Sequence, residues 1–368
     1  MKTSLRRAAT PHQAAMPQRR SRPRVNSRLR PKNPSSVQHP RRQFLRLAVG
    51  AAALPAVSCD PGTQSYPSRP ITLIVPYAVG GTTDVIARNL AERMKVSLGQ
   101  PVIIENVTGA GGTIGTGRVA RAAPDGYTLS IGQNDSHVLN GATYALQYDL
   151  LNDFEPVALL SATPFLLLAR KAMPADDLKG LIAWLKANPD KASMGITAGG
   201  MVHVVGVRMQ KETGTRFGFV PYRGGAPILQ DLVAGQIDFA VLDPTTSLAQ
   251  VRADRVKAYA VTAASRLSSA PDIPTVDEAG SPGLHASSWY GLWVPKRTPP
   301  TVITKLNAAV VDALADPGVR ARLADLGQEI FPRDQQTPEA LRAFQRAEIE
   351  KWWPVIKEAG IRAPPQTP

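Results

Sequence analysis

Disulfides are excluded at once, because the 368-residue chain has a single cysteine, Cys59, and its stability must come from a packed core. Histidine is nearly as scarce. Of five, His12 and His39 lie near the start, and His137, His203 and His285 are scattered without metal-ligand spacing, so no metal centre and no cofactor are expected. A Gly-x-x-x-x-Gly-Lys phosphate loop, a Gly-x-Ser-x-Gly elbow and a His-Glu-x-x-His pair are all missing, which removes the commonest enzyme signatures. Acidic residues are absent from positions 1–58, where thirteen Lys and Arg lie, so most of the net charge of +14 belongs to that leader. The remainder holds thirty basic and twenty-nine acidic residues, an ordinary balance that gives no reason to expect a nucleic-acid or anionic-membrane partner.

Within the leader, Arg41-Arg42-Gln43-Phe44-Leu45-Arg46 precedes an apolar run from Leu47 to Val57 that is too short to span a bilayer. It resembles a twin-arginine export signal, so residues 1–58 are expected to be a disordered leader with a Tat-like signal peptide and the protein to be periplasmic. Ala56-Val57-Ser58 before Cys59 fits either a lipoprotein box, with Cys59 lipidated, or ordinary cleavage, and both remain open. About 300 residues follow, enough for one large or two moderate domains, with no further run long enough to cross a membrane.

Strand and helix signals alternate through this body. Ile71 to Tyr77 reads as a strand buried on both faces, and Ile86, Leu90 and Met94 mark a helix capped by Thr82, Thr83 or Asp84 and stopped by Gly99. Val102 to Glu105 is a strand, Thr113 to Ala123 a helix, and Tyr127 to Ile131 a strand. Phe217 to Tyr222, a helix from Pro227 to Gly235, and Ile237 to Leu242 form a further βαβ unit, and Lys257 to Thr262 adds a strand. Pro300 to Gly327 and Pro338 to Gly360 read as helical. The alternation predicts an α/β protein with mostly parallel sheets. Val157 to Ala169 and Ser287 to Val294 fit no βα repeat and are expected to cross between two lobes, one of residues 66–166 plus 290–368 and the other of residues 167–289.

The segment Val75 to Asp84, which includes Tyr77, joins a strand to a helix through Gly80-Gly81. Its backbone N–H groups lie at the positive end of a helix dipole, which suits a carboxylate, although a capped turn without a ligand explains the same residues. Gly195 to Gly200, with Thr197 and then His203, offers a second such turn; His203 could reach a ligand or simply pack. Val220 to Gly225 echoes the first turn. Gly109 to Gly115 follows a strand, but its spacing is too irregular for a dinucleotide fingerprint. Asp243, at a strand end, could bind a ligand ammonium or merely cap a loop.

Taken in order, these segments resemble the solute receptors of tripartite tricarboxylate transporters, the Bug or TctC-like family. The resemblance runs from about Tyr66 to Ile361. It is carried by Tyr66-Pro-Ser-Arg-Pro-Ile-Thr-Leu-Ile-Val-Pro-Tyr77 with Gly80-Gly81-x-x-Asp84, Gly109-Ala-Gly-Gly-x-Ile-Gly115 and Ala123-Pro-Asp-Gly-Tyr-Thr-Leu129. Val220-Pro-Tyr-Arg-Gly224, Asp272-Ile-Pro-Thr-Val276 with Glu278-Ala-Gly280, and Ser288-Trp-Tyr-Gly291 complete it. The resemblance implies a two-lobed periplasmic binding protein type II fold with a ligand cleft between hinged lobes, and a monomer that hands a small carboxylate to membrane permease subunits. It implies ligand contacts from Gly80, Gly81, Thr82 and Asp84 on one side, from Thr197, Gly199, Gly200 and His203 on the other, and from Gln133 and Asn134 lining the cleft. Tyr77 and Asp243 join this set. Ala198-Gly199-Gly200-Met201 replaces a Ser-rich segment of many relatives, and Pro244 a more polar residue, which favours a mono- or dicarboxylate over citrate. Two other functions fit the same scaffold: an enzyme using His203 or Asp243, and a sensory protein that presents a ligand to a membrane receptor.

Overall fold

The computed structural model describes residues 66–363. The leader 1–58 with its Arg41-Arg42 motif, Cys59 and the last residues of the chain lie outside the described residues.

Two sheets carry the fold. In chain order β1 (Ile71–Val75), β2 (Val102–Asn106), β3 (Thr128–Gln133) and β4 (Phe154–Pro164) enter the first sheet. The second is built from β5 (Leu166–Arg170), β6 (Ser193–Thr197), β7 (Gly218–Tyr222), β8 (Phe239–Leu242) and β9 (Val256–Val261). The chain then returns to the first with β10 (Ser287–Pro295) and β11 (Glu329–Ile330). The spatial orders are β11-β4-β10-β3-β1-β2 and β7-β6-β8-β5-β9, which gives the two-lobed α/β architecture.

The sheets are mixed rather than mostly parallel. Among the described pairings β1/β2, β1/β3, β6/β7 and β6/β8 are parallel, whereas every pairing of β4, β5 and β10 is antiparallel. Parallel neighbours need a covering crossover such as a helix. β4 runs into β5 with only Phe165 between, so these strands join their sheets without one.

The helices follow the apolar periodicity. They are α1 (Thr82–Leu98), α2 (Thr113–Ala120), α3 (Asn140–Thr143), α4 (Leu178–Ala187) and α5 (Met201–Thr213), then α6 (Gly225–Val233), α7 (Pro244–Arg252), α8 (Pro300–Ala315), α9 (Pro317–Asp325) and α10 (Pro338–Glu358). In α1 Ile86, Leu90 and Met94 are fully buried, and Gly99 ends the helix in the left-handed region at φ 68°, its N–H donating to the Lys95 carbonyl. The cap at the start of α1 differs from expectation: Gly81 occupies it with extended backbone and no side-chain bond. The helix expected from Pro300 to Gly327 is two, because Pro317 cannot continue α8 and Asp316 restarts the chain by accepting from the N–H groups of Gly318 and Val319.

Where the chain passes between the sheets, three segments are laced together. Thr262 N–H donates to the Phe165 carbonyl at 2.9 Å, and Phe165 N–H donates to Thr262 Oγ1 at 2.9 Å. Thr262 Oγ1 donates in turn to the Ala286 carbonyl at 2.6 Å, while Ala286 N–H donates to the Thr262 carbonyl at 3.0 Å. One apolar cluster packs α1 and α8 on β1 and β3, and a second packs α6 on β5 and β8. A third contains Trp289, Trp293 and Trp352 of the first sheet and α10 together with Val205, Met209 and Phe239 of the second sheet and α5.

Candidate functional site

The parallel registers put the site residues at two strand edges. β1, β2 and β3 run together and end at Val75, Asn106 and Gln133, so Tyr77, Gly109–Gly112 and Asn134 leave the same edge of the first sheet. β6, β7 and β8 likewise deliver Thr197, Tyr222 and Asp243 to one edge of the second. The edges face each other: Asp135, just past β3, accepts the Met201 N–H at the start of α5 at 2.9 Å. Within the first sheet, Asn134 Nδ2 donates to the carbonyl of Ser287 at the start of β10 at 3.2 Å. Carboxyl ends of strands in α/β sheets are where ligands bind. A cavity of about 600 Å³ beside α8 and α10 lies elsewhere, because Glu155 in its lining pairs with Val294, at the opposite end of β10 from the Tyr290–Gln133 pair.

In the first turn Gly80, at φ 81°, donates its N–H to Asp84 Oδ2 at 2.9 Å, and Gly81 donates to the Ala78 carbonyl at 3.3 Å. Asp84 is 1 % exposed and also accepts from Arg88 Nε and Asn106 Nδ2, both at 2.9 Å. Burial is the largest influence on its carboxyl and raises its pKa, but the bonds from Arg88, Gly80 and Asn106 together hold it below the usual range. Asp84 is therefore an internal brace of the turn and not a group that faces a ligand, and the amides of Gly80 and Gly81 are engaged too. What the turn leaves open is the Thr82 side chain and the first N–H groups of α1, which have no intrahelical acceptor.

Tyr77 packs on the second glycine segment. A Cβ on Gly112 would stand 3.3 Å from both Pro76 and Tyr77, and one on Gly115 only 2.7 Å from the Val107 carbonyl oxygen, so close packing explains these glycines. The Tyr77 hydroxyl is buried without a hydrogen-bond partner, and burial pushes its pKa up. Gln133 closes β3 and accepts from Thr83 Oγ1 at 3.3 Å. Asn134 is 1 % exposed, and its Oδ1 is buried without a donor. After it the chain makes a π-helical turn, Asp135–Leu139.

Across the cleft, Gly199 N–H donates to His203 Nδ1 at 3.3 Å, which places the ring proton on Nε2. Burial lowers the pKa of His203, so the ring is neutral at pH 7, and it packs edge-on to Phe219 with centroids 4.9 Å apart. Gly200 N–H donates to the Thr197 carbonyl at 3.0 Å, so the glycine amides of this turn are engaged as well. The Thr197 hydroxyl and His203 Nε2–H remain as donors on this side. Tyr222, from the third turn, is tied down by its hydroxyl to Asp231 at 2.6 Å.

Between the edges lies an acidic interior. Asp243 precedes α7 and its main-chain carbonyl accepts from Thr246 and Ser247, but Oδ1 is buried without a donor. Burial, above all, pushes its carboxyl up to about 7; Ser288 lowers it and Asp135 adds to the rise. Asp135 is pushed up to about 6 by burial, against the Met201 N–H. Tyr290 is fully buried, its hydroxyl unpartnered and its pKa raised by burial and then by Asp243. Neither Asp135 nor Tyr290 was singled out from sequence. Asp135 follows the flagged Gln133-Asn134 pair directly, and Tyr290 sits inside Ser288-Trp-Tyr-Gly291, but nothing local shows that both point inward.

Residues 86–361 match the family described as the tripartite tricarboxylate transporter family receptor, so the match begins just after the first turn. A protein of Agrobacterium vitis, described as a UPF0065 protein in the TAR-I ttuE-ttuC' intergenic region, is 38% identical over 336 residues, covering 90% of this chain and 95% of the relative. The periplasmic binding protein BugD superposes with a TM-score of 0.74 at 38% identity, over 81% of this chain and 99% of its own. MatC from Rhodopseudomonas palustris, solved with bound malate, does so with a TM-score of 0.73 at 39% identity, over 79% of this chain and all of its own.

Proposed function

The chain belongs to the receptor family of tripartite tricarboxylate transporters, and on that premise we propose that it captures a small organic acid in the cleft between its sheets and delivers it to membrane permease subunits. One observation carries the reading: the carboxyl edges of two parallel strand sets face each other, with the N-terminus of α1 and the Thr82 hydroxyl on one side and Thr197 and His203 Nε2–H on the other. Such donors suit a carboxylate at a helix N-terminus. The malate held by MatC supports that ligand class.

We place the lobes at residues 66–166 plus 290–368 and residues 167–289; sheet membership supports the division in outline, although Leu166 already opens β5 of the second sheet and Ser287 already opens β10 of the first. The protein acts as a monomer and without catalysis. It works in the periplasm, exported through the Arg41-Arg42 signal, with Cys59 marking the point of cleavage or lipid attachment. No described helix is long and apolar enough to cross a membrane.

A thermal-shift screen of organic acids against the exported protein tests the reading. A ligand that binds only the folded state at about 100 times its Kd adds about 2.7 kcal/mol of stability and raises Tm. Silence across monocarboxylates, dicarboxylates and amino acids defeats it.

A further inference from the structure

The interior of the cleft holds two carboxylates, an unusual lining for a receptor of anions. Asp135 reaches from the first sheet to the start of α5, where Oδ1 accepts the Met201 N–H at 2.9 Å and Oδ2 would stand 2.8 Å from a Cβ on Gly200. The chain's own carboxylate thus occupies the place at which α5 would otherwise attract one from a ligand. Asp243 feels the charge of Asp135, and Tyr290 feels both. The polar groups acting on these residues and on Tyr77 and Tyr290 include Gln133, Ser136 and Ser288, and none of them is a cation.

Two acceptors in this interior lack donors. Asp243 Oδ1 is buried and unpartnered, and so is Asn134 Oδ1 on a side chain 1 % exposed. The Asn134 amide cannot be turned to present its N–H₂ instead, because that end already donates to the Ser287 carbonyl, which can only accept. The Tyr290 hydroxyl is buried without a hydrogen-bond partner too, but it can offer only one donor, which leaves at least one of the two acceptors unmatched. Buried acceptors left unmatched destabilise a fold, so they point to a donor that arrives with the ligand. A second ligand carboxylate would bring more acceptors and a like charge. An ammonium brings three donors and the opposite charge.

We propose that the second pole of the ligand is a protonated amine received by Asp135, Asp243 and Asn134 Oδ1, so that the receptor takes an amino carboxylate in preference to a dicarboxylate. This rests on the carboxylate-receptor reading, with the ligand's carboxylate at the start of α1 and its amine at the acidic interior.

Calorimetric titration of the exported chain tests it with matched acids of about three to six carbons. Each acid is offered with a methyl, hydroxyl or carboxylate at its far end, or with an ammonium there or beside the carboxylate. The ammonium form is expected to bind at least about tenfold tighter than the dicarboxylate. Asp243→Asn should erase most of that preference, read as the ratio of ammonium to methyl-form affinity within each variant, and Asp135→Asn gives an independent reading if the first variant is unstable. Tightest binding by a dicarboxylate, or an ammonium preference untouched by both substitutions, overturns the inference and leaves the receptor reading standing. Binding by none of the acids overturns both.

Discussion

At Gly132 an added Cβ would stand 2.0 Å from His137 Nδ1, and that ring cannot withdraw because it is stacked on Trp293 with centroids 3.8 Å apart. Gly132→Ala should therefore lose about 3 kcal/mol, seen as a lower urea midpoint. Gly81 is the opposite case, since a Cβ there meets only the Ala78 carbonyl at 3.4 Å and its φ of −74° suits any residue. Gly81→Leu should keep Tm within about 2 °C of the parent and abolish carboxylate binding by filling the mouth of the turn; unchanged affinity sinks the placement of the ligand at α1. Asp243 supplies a pH test. Its folded pKa of about 7 lies above its unfolded value of 3.8, so its ionisation weakens the ligand-free fold progressively as pH rises between those values, and the deficit is fully present above about 7. Asp243→Asn should accordingly raise Tm relative to the parent at pH 8, an advantage that shrinks as pH falls and is gone near pH 4. Taking the difference between variant and parent cancels the opposing loss on acidification from His137, whose pKa burial lowers to about 3.

At the scale of elements, Asp316 ties three helices. It caps α9 through Gly318 and Val319, stops α8, and pairs with Arg93 of α1 at 3.1 Å. Asp316→Ala should lower stability by about 1 kcal/mol, mostly through the cap, because the half-exposed Arg93 pair contributes little. The elements were legible where punctuation and periodicity agreed: Gly99 ends α1, Pro338 opens α10, and the run from Ile71 to Val75 gives β1. They were not legible where a side chain acts at a distance. Asp84 looked like a helix cap or a ligand contact, but Asn106, 22 residues on, engages it instead. The π-helical turn Asp135–Leu139 has no periodic signature, so the residue it turns towards α5 was invisible. The engaged glycine amides of both turns were equally hidden, since sequence marks where backbone bends and not where its N–H groups point.

For the whole molecule the decisive place is the lacing of Phe165, Thr262 and Ala286. Thr262 is 1 % exposed and its hydroxyl serves two strands' worth of backbone. Thr262→Val keeps the volume but leaves the Phe165 N–H and the Ala286 carbonyl without that partner, and should lower stability by about 1–3 kcal/mol in chemical denaturation. A loss well under 1 kcal/mol would mean that the crossing is braced elsewhere. Sequence pattern marked Val157 to Ala169 and Ser287 to Val294 as passages between lobes; the first divides into β4 and β5 of different sheets, whereas the second lies wholly within β10 of the first sheet, because an apolar run carries no mark of which sheet it joins. The same connectivity fixes an order of assembly. Every strand of the second sheet lies between residues 166 and 261, whereas β10, which sits between β3 and β4 in the first, is supplied only after them. As the chain emerges during synthesis, the lobe that begins second is therefore the first whose strands are all present, and the lobe that begins first waits for its middle to arrive.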